Sequence, residues 1–183
     1  ISGRSLPCSL SSSIRHLSTN EKTKEERRKK SNLYTKTGDA GTSSLYNGER
    51  RPKNELVFDV LGHQDELNAV IGIAREHCAL TQNGLDEMLI EIQSRLFDLG
   101  AAVATPVQTS SNRKKAYTEF SQLHTATIES WIDQIDSTLP PIVNFVIPSG
   151  GMSSTHLNLA RAVCRRYVLC IYIYVYIHIY YIY

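Results

Sequence analysis

Residues 34–53 have the sequence YTKTGDAGTSSLYNGERRPK, which concentrates groups that can bind phosphate. The segment holds three glycines, five Ser or Thr hydroxyls and four basic side chains, with almost no apolar residue for a core. Glycine lets the backbone approach a ligand closely, and hydroxyl and ammonium groups donate hydrogen bonds to phosphate oxygens. The pattern GxxxxGK followed by Ser or Thr does not occur here, so this is not a Walker A loop. The composition leaves two interpretations open, a phosphate-binding loop and a flexible Gly/Ser loop.

Three arginines lie close together in RAVCRR, residues 161–166. Arg161 and Arg165 are four residues apart, so they share one face of a helix. Two permanent positive charges on one face repel each other, which favours an acidic partner or an anionic ligand nearby. Asp65, in GHQDELN, is one candidate partner. The alternatives are a solvated basic face and an ordinary surface aspartate, and His63 is interpreted as a packing or surface residue.

The residues between these groups predict the helices that position them. Apolar side chains recur at steps of three and four residues in four segments, which is the pattern of amphipathic helices. The helices are expected at about 54–78, 83–103, 120–135 and from 152 onwards, with Asn83 as a plausible N-cap. The first stripe contains Val57, Val60, Leu61, Leu67, Val70, Ile71 and Ala74, and the third contains Phe120, Leu123, Ile128, Trp131, Ile132 and Ile135. Four helices without βαβ alternation predict an all-α bundle, in which the fourth helix is cut short and part of the core is left uncovered.

The N-terminal residues have the composition of a targeting segment. The first twenty contain seven serines, two arginines and no acidic residue, which is typical of a mitochondrial transit peptide, with a disordered tail as the alternative. Residues 1–32 carry eight basic and three acidic residues, a net charge of +5, so the remainder has −3 to give the total of +2. A mildly acidic body argues against a nucleic-acid footprint on the fold. The four cysteines form no CxxC pair, so neither a zinc site nor a disulfide framework is indicated.

The C-terminal residues 167–183, YVLCIYIYVYIHIYYIY, differ in character from the rest of the chain. Residues 171–183 hold six of the ten tyrosines. An AT dinucleotide repeat translates into alternating Ile and Tyr, so we interpret the segment as a low-complexity tail of repeat or intronic origin. A strand or an aggregating segment is the second interpretation. A membrane span is less favoured, although seventeen uncharged residues approach the necessary length.

Four segments carry a resemblance to a known family: residues 34–53, GHQDELNAVIG, FVIPSGG and RAVCRR. In this order and spacing they resemble the ATP:cob(I)alamin adenosyltransferase family of the PduO type, in particular its mitochondrial branch. The resemblance covers residues 34–166. It implies a five-helix, ferritin-like up-down bundle with an N-terminal nucleotide-binding loop, assembled as a homotrimer with ATP between adjacent subunits. The chain is accordingly divided into a transit peptide and linker (1–33), the enzyme domain (34–166) and the Ile/Tyr tail (167–183).

The resemblance also implies roles for individual residues. The groups that would hold ATP are Thr35, Lys36, Thr37, Gly38, Ser43, Ser44, Lys53, Arg165 and Arg166. Arg161 would pair across the subunit interface with Asp65, and Arg165 is expected to contribute most to catalysis. Phe145 would close the corrin site and displace the lower axial ligand of cobalt.

The implied reaction transfers the 5′-deoxyadenosyl group of ATP to cob(I)alamin, giving adenosylcobalamin and triphosphate, with Mg²⁺ as cofactor. The implied location is the mitochondrial matrix. A cobalamin reductase and a cobalamin-dependent mutase are candidate partners, and neither nucleic acid nor a membrane is expected. A nucleotide hydrolase is disfavoured because the sequence offers no obvious base to activate water.

The sequence departs from the family after RAVCRR. The family continues the fourth helix with an acidic residue and further arginines, and then adds a fifth helix whose asparagine helps to bind ATP. The Ile/Tyr tail stands in their place. This departure leads to the expectation of a poorly folded or inactive truncation, and to the alternative function of a corrinoid- or subunit-binding helical module.

Overall fold

The computed structural model describes residues 36–180, with side chains through residue 175. The chain divides into two units, Ile1–Ala40 and Gly41–Tyr183. The described part of the first unit is a turn over residues 36–40, in which the Asp39 N–H donates to the Lys36 carbonyl at 3.3 Å. Thr35, Cys8 and the predicted transit peptide lie outside the described residues.

The second unit begins with a two-stranded antiparallel hairpin, formed by β1 (Thr42–Ser44) and β2 (Arg50–Pro52). Ser43 lies opposite Arg51 in the register. Gly48, in the connecting turn, has a φ of +90°, a conformation that favours glycine because it lacks a Cβ. Leu45 is buried in the core, so the hairpin is attached to the helices by an apolar anchor.

Five helices follow the hairpin in the described part of the chain: α1 (Leu56–Thr81), α2 (Asp86–Val103), α3 (Asn112–Tyr117), α4 (Leu123–Asp136) and α5 (Met152–Tyr180). α1 ends where Gln82 adopts a left-handed conformation and its N–H donates to the Ala79 carbonyl. Ser111 caps α3 by accepting a hydrogen bond from the Lys114 N–H. The predicted all-α bundle is confirmed, although the sequence pattern missed the short α3.

The core lies where α1 packs against α2 and α5. Its fully buried side chains come from α1, and apolar residues of α2, α5 and the hairpin surround them. The buried members of this cluster are Leu45, Val57, Val60, Leu67, Ile71, Cys78, Leu89, Leu96, Ala160, Val163, Tyr167 and Tyr174. Burying each Val, Leu or Ile side chain of this cluster contributes about 1.5–3 kcal/mol. The predicted α1 stripe is therefore correct for Val57, Val60, Leu67 and Ile71.

The third predicted stripe forms a helix but is not buried. α4 has no buried residue, and Leu123 and Ile132 are largely exposed. Periodicity determines the helix face on which apolar residues lie, but the tertiary structure determines which element packs against that face. In the described chain α4 therefore presents its stripe at the surface.

The strand interpretation of the Ile/Tyr tail is wrong, since α5 continues without a break from Met152 to Tyr180. Tyr167 and Tyr174 are buried, and Cys170 and Ile171 are partly buried against the same cluster. These residues continue the stripe of Ala160 and Val163 at steps of three and four. No helix in residues 36–180 combines the length and apolar character needed to cross a membrane.

Candidate functional site

α5 lies antiparallel to α1, and side-chain contacts fix their register. At one end, the Ser153 hydroxyl donates to the His77 carbonyl at 3.0 Å. Further along, Arg166 forms an ion pair with Glu66. The antiparallel packing therefore brings the arginine segment of α5 beside the GHQDELN segment of α1.

The acidic partner within the chain is Glu66 rather than Asp65. Glu66 accepts from Arg166 and lies 3.5 Å from Nδ1 of His63. The hydrogen bond from Arg166 lowers the pKa of Glu66, with His63 as a weaker contributor. Both partners of the ion pair are about half exposed, so its value for stability is small. The sequence does not rank Glu66 above Asp65, because two adjacent acids on a helix can be told apart only by the side chains that face them.

The other two arginines have charges that no described acid neutralises. Arg161 donates to the Asn158 side-chain oxygen at 3.3 Å. Arg165 is exposed and, within the part of the chain that the structure describes, forms no hydrogen bond or ion pair. Asp65 is exposed as well, and it does not contact Arg161 in the same chain. Two cations on one helix face without an internal partner are available to an anionic ligand or to an acid of another subunit.

A cavity of about 620 Å³ opens beside Arg161. It lies between the start of α5 and the connection from α1 to α2. Its lining residues are Thr81, Asn83, Leu85, Gly150, Ser153, Ser154, Leu157, Asn158 and Arg161. Hydroxyl, amide and guanidinium groups suit a polar, negatively charged ligand. Thr81, Ser153 and Asn158 were not singled out from the sequence, since their types are common in loops and caps. Asn83 was predicted only as an N-cap, and this prediction is wrong because Leu85 is the N-cap of α2.

The hairpin is held by a carboxylate-centred network. Glu49 accepts from Arg51 at 2.8 Å, from the Thr109 hydroxyl at 2.6 Å and from the Asn47 amide at 3.2 Å. These three hydrogen bonds lower the pKa of Glu49 from 4.5 to about 2, the bond from Arg51 being the largest cause. The flexible-loop interpretation is therefore wrong for Thr42–Pro52.

The predicted phosphate ligands of the hairpin differ in availability. The Ser44 hydroxyl accepts from Arg50 at 3.2 Å, and Ser43 is half-buried. The Lys53 side chain is exposed, while its backbone N–H donates to the Gly41 carbonyl at 2.9 Å. Lys36, Thr37 and Gly38 belong to the turn of the first unit.

The hairpin and Arg161 lie toward opposite ends of α5. Burial raises the pKa of Tyr174, and the charges of Arg51 and Glu55 act on the same phenol, so the hairpin lies near Tyr174. Arg161 precedes Tyr174 by 13 residues, which corresponds to about 20 Å along a helix at about 1.5 Å per residue. One chain therefore does not bring Arg161 and Lys53 into contact.

Phe145 lies in the connection between α4 and α5, with its side chain fully exposed. Its neighbours Ile142, Val143, Val146 and Ile147 are each at least three-quarters exposed. A contiguous apolar run at the surface is typical of a segment that contacts a ligand or another protein.

Comparison with known proteins identifies relatives of the chain. The chain matches the Cobalamin adenosyltransferase family over residues 33–171. It is 45% identical over 134 residues to Corrinoid adenosyltransferase MMAB of Mus musculus and of Homo sapiens, covering 73% of this chain and 56% and 54% of those proteins. It is 36% identical over 135 residues to the Corrinoid adenosyltransferase of Mycobacterium leprae, covering 73% of this chain and 70% of that protein.

Solved structures have a similar fold. A variant PduO-type ATP:corrinoid adenosyltransferase from Lactobacillus reuteri, complexed with cobalamin and ATP, has a TM-score of 0.67 and 28% identity, covering 76% of this chain and 75% of that chain. The chain spans about half the length of the mammalian relatives. Because the family match extends over most of the sequence and includes every segment of the resemblance, the chain belongs to the Cobalamin adenosyltransferase family.

Proposed function

We propose that the protein transfers the 5′-deoxyadenosyl group of ATP to cob(I)alamin and releases triphosphate. The observation that carries this proposal is the family match over residues 33–171, which includes the hairpin, Phe145 and all three arginines of α5. The Lactobacillus reuteri relative was solved with cobalamin and ATP together, which supports the same pair of substrates here.

The chemistry asks for positioning and charge stabilisation rather than for a protein nucleophile. Cobalt(I) attacks the 5′ carbon of ATP, the carbon–cobalt bond forms with the electron pair of cobalt, and the carbon–oxygen bond to triphosphate breaks. The protein must hold cobalt and carbon in line and stabilise the negative charge of the leaving group. Arginine and lysine side chains suit that second task.

The proposed ATP ligands are Thr35, Lys36, Thr37, Gly38, Ser43, Ser44, Lys53, Arg165 and Arg166. Arg165 is the leading candidate to stabilise the negative charge of the leaving triphosphate, since its guanidinium is exposed and has no partner in the described residues. Arg166 would bind phosphate only through the N–H groups that it does not already donate to Glu66. Phe145 is proposed to contact the corrin, and its full exposure leaves the ring available for that contact.

A homotrimer with shared sites is the proposed assembly. Arg161 and Asp65 do not pair within the chain, and Arg161 and the hairpin lie toward opposite ends of α5. A second subunit would supply the missing contacts, with Asp65 of one chain facing Arg161 of the next. The exposed stripe of α4 and the apolar run around Phe145 offer further surface for that assembly.

Mg²⁺ is proposed to arrive with the nucleotide. Among the described residues, no three His, Cys, Asp or Glu side chains lie together as a metal site. Magnesium commonly keeps its waters and binds through substrate phosphates, which it partly neutralises. The protein residues would then contact the triphosphate around the ion.

The mitochondrial matrix is the proposed location. The serine-rich, acid-free start of the chain supports it, since this composition is typical of a mitochondrial transit peptide. A cobalamin reductase and a cobalamin-dependent mutase are the proposed partners, because cobalt(I) must be supplied and adenosylcobalamin must be consumed. Import into isolated mitochondria, with and without residues 1–33, tests the location.

The test of the reaction is an anaerobic assay of the full chain with chemically reduced cob(I)alamin and ATP. Formation of adenosylcobalamin, read from the visible spectrum, together with equimolar triphosphate is the expected result. Release of phosphate or pyrophosphate without a cobalt–carbon bond would indicate a hydrolase. Corrinoid binding without any turnover would support the alternative of a helical binding module and overturn the proposed activity.

A further inference from the structure

A buried polar contact joins α1, α2 and α5 immediately beside the arginines. The Tyr167 hydroxyl lies 3.3 Å from Oε1 of Gln64, and both residues are buried. Gly100 of α2 faces the same amide, since a Cβ added there would come within 2.8 Å of the Gln64 side-chain carbon. Burial raises the pKa of Tyr167 to about 12, so its phenol stays protonated and can donate to Gln64 at neutral pH.

Without such a contact, the sequence of α5 would allow more than one register against α1. From Tyr167 onward nearly every residue is apolar, with Tyr at 167 and again at 174. A shift of α5 by seven residues would place Tyr174 opposite Gln64 and still bury an apolar stripe. A shift of three residues would instead place a cysteine opposite the Gln64 amide, and a shift of four would place Val163 or Ile171 there. A thiol is only a weak hydrogen-bond partner, and Val and Ile offer none. Buried polar groups can select one register at a small cost in stability.

The register determines where the arginines lie. The ion pair between Arg166 and Glu66 forms in the same register as the contact between Tyr167 and Gln64. Arg165 and Arg161 precede Tyr167 by two and six residues, so their positions follow from that register too. A shift of three or four residues, which the contact with Gln64 disfavours, would displace all three guanidinium groups by about 5 Å along the helix axis.

We propose that Gln64 and Tyr167 are positioning residues that fix the register of α5 and thereby hold Arg161 and Arg165 at the nucleotide site. This inference rests on the proposed function for its kinetic consequence, but the register itself is a property of the fold.

The decisive variants remove the polar contact without removing the packing. Tyr167→Phe deletes only the hydroxyl and leaves the Gln64 amide buried. The double variant Gln64→Leu with Tyr167→Phe replaces both partners by apolar groups, which is nearly neutral for stability as a rule. Gly100→Ala displaces the amide of Gln64 through its new methyl group. It leaves the amino-acid sequences of α1 and α5 unchanged. Tyr117→Phe removes a hydroxyl from an exposed tyrosine and is the matched control.

Native cysteines report the register independently of activity. Cys164 and Cys170 are half-buried and flank Tyr167, whereas Cys78 is fully buried. Their alkylation rates, measured on the full chain by peptide mass mapping, distinguish rotation or sliding of α5 from global unfolding, because unfolding also exposes Cys78.

The expected result is a double variant with the wild-type melting temperature, faster alkylation of Cys164 and Cys170 than in the wild type, and unchanged alkylation of Cys78. A misplacement of about 1 Å can lower the efficiency of catalysis by up to about 100-fold. The KM for ATP of the double variant should rise by about 10-fold, because the arginines would no longer be held at the nucleotide. Gly100→Ala should act in the same direction and Tyr117→Phe should have no effect. A double variant with wild-type alkylation rates and wild-type KM overturns the proposal, because the contact would then be only structural.

The proposed function can fail separately. A wild-type chain that neither binds ATP nor forms adenosylcobalamin would overturn the proposed reaction. The alkylation rates would still decide whether Gln64 and Tyr167 fix the register.

Discussion

At the scale of residues, the charged side chains of this protein divide into those with a partner in the chain and those without. Glu49 and Arg51 are joined in the hairpin, and Glu66 and Arg166 are joined between α1 and α5. Arg165 forms no such contact in the described residues. A charge that does not serve the fold can be removed without loss of stability, which makes it a clean target for a test of function.

The first prediction concerns Arg165. Arg165→Ala should lower the rate of adenosyl transfer by about 100-fold, because removal of one preorganised donor to a developing charge commonly has an effect of that size. The melting temperature should stay within about 1 °C of the wild type, since an exposed, unpaired side chain contributes little to stability. Anaerobic kinetics and thermal unfolding measure the two quantities.

Arg113→Ala provides the control for Arg165→Ala, because Arg113 is an exposed arginine of α3. Equal activity losses in both variants would show that net charge matters and that Arg165 has no specific role.

The second prediction concerns pH and Glu49. The pKa of this carboxyl is lowered to about 2 from 4.5, so its contribution to stability is fully present above the unfolded value and is lost as pH falls from about 4.5 to about 2. Glu49→Gln should therefore lower the melting temperature at pH 7, and the difference from wild type should shrink steadily below pH 4.5. Melting curves between pH 2 and pH 7 measure it.

Glu129→Gln, on the exposed surface of α4, should leave the pH profile unchanged. A Glu49→Gln profile parallel to the wild type over the whole range would show that the network around Glu49 does not titrate with folding.

At the scale of elements, the long α5 is the unexpected feature. Its first half carries the arginines, and its second half is the Ile/Tyr segment that the sequence suggested was foreign to the fold. Tyr167 and Tyr174 nevertheless continue the buried stripe of the helix. The second half of α5 therefore covers the part of α1 that lies near the hairpin.

The third prediction tests whether this second half belongs to the core. Tyr174→Ala should destabilise the protein by about 3 kcal/mol, as expected for truncating a buried aromatic side chain. Leu169→Ala, on the exposed face of the same helix, should change stability by no more than about 0.5 kcal/mol. Denaturant unfolding of both variants gives the comparison, and equal effects would contradict the burial of Tyr174.

At the scale of the whole molecule, the described chain leaves contacts unmade. α4 has an apolar stripe without a buried residue, Phe145 is fully exposed, and Asp65 and Arg161 are apart. An isologous or cyclic assembly would allow each of these groups to meet a different group on a second copy. The proposed trimer is a closed arrangement that uses all of them.

The fourth prediction is subunit complementation. Asp65→Ala and Arg161→Ala chains should each be inactive alone, because every shared site lacks one member of the proposed ion pair. Co-expressed in equal amounts, they should recover roughly a quarter of the wild-type activity, since random cyclic assembly restores both members in that share of the interfaces. Activity of purified mixed complexes, with each subunit carrying a different tag, measures the recovery.

Mixing Asp65→Ala with a second Asp65-deficient chain is the control and should recover no activity. If the Asp65→Ala and Arg161→Ala mixture also stays inactive while the subunits do assemble, the two residues do not meet across an interface.

The sequence by itself determined the helical class, the approximate bounds of α1, α2 and α4, and the segments that belong to the family. Those properties depend on residues three to four positions apart, which lie on one face of a helix whatever surrounds them. It also placed Arg161 and Arg165 on one face of a helix and singled out Lys53 as a candidate phosphate ligand.

Only the tertiary structure decided the rest. Ile/Tyr alternation favours a strand, but a run that is apolar almost throughout satisfies the helical period equally well, and packing against α1 selected the helix. The choice of Glu66 over Asp65 as the partner of Arg166, and the contact between Gln64 and Tyr167, join residues about 100 positions apart. No local pattern encodes such pairs, because they follow from the register in which two antiparallel helices bury their apolar faces.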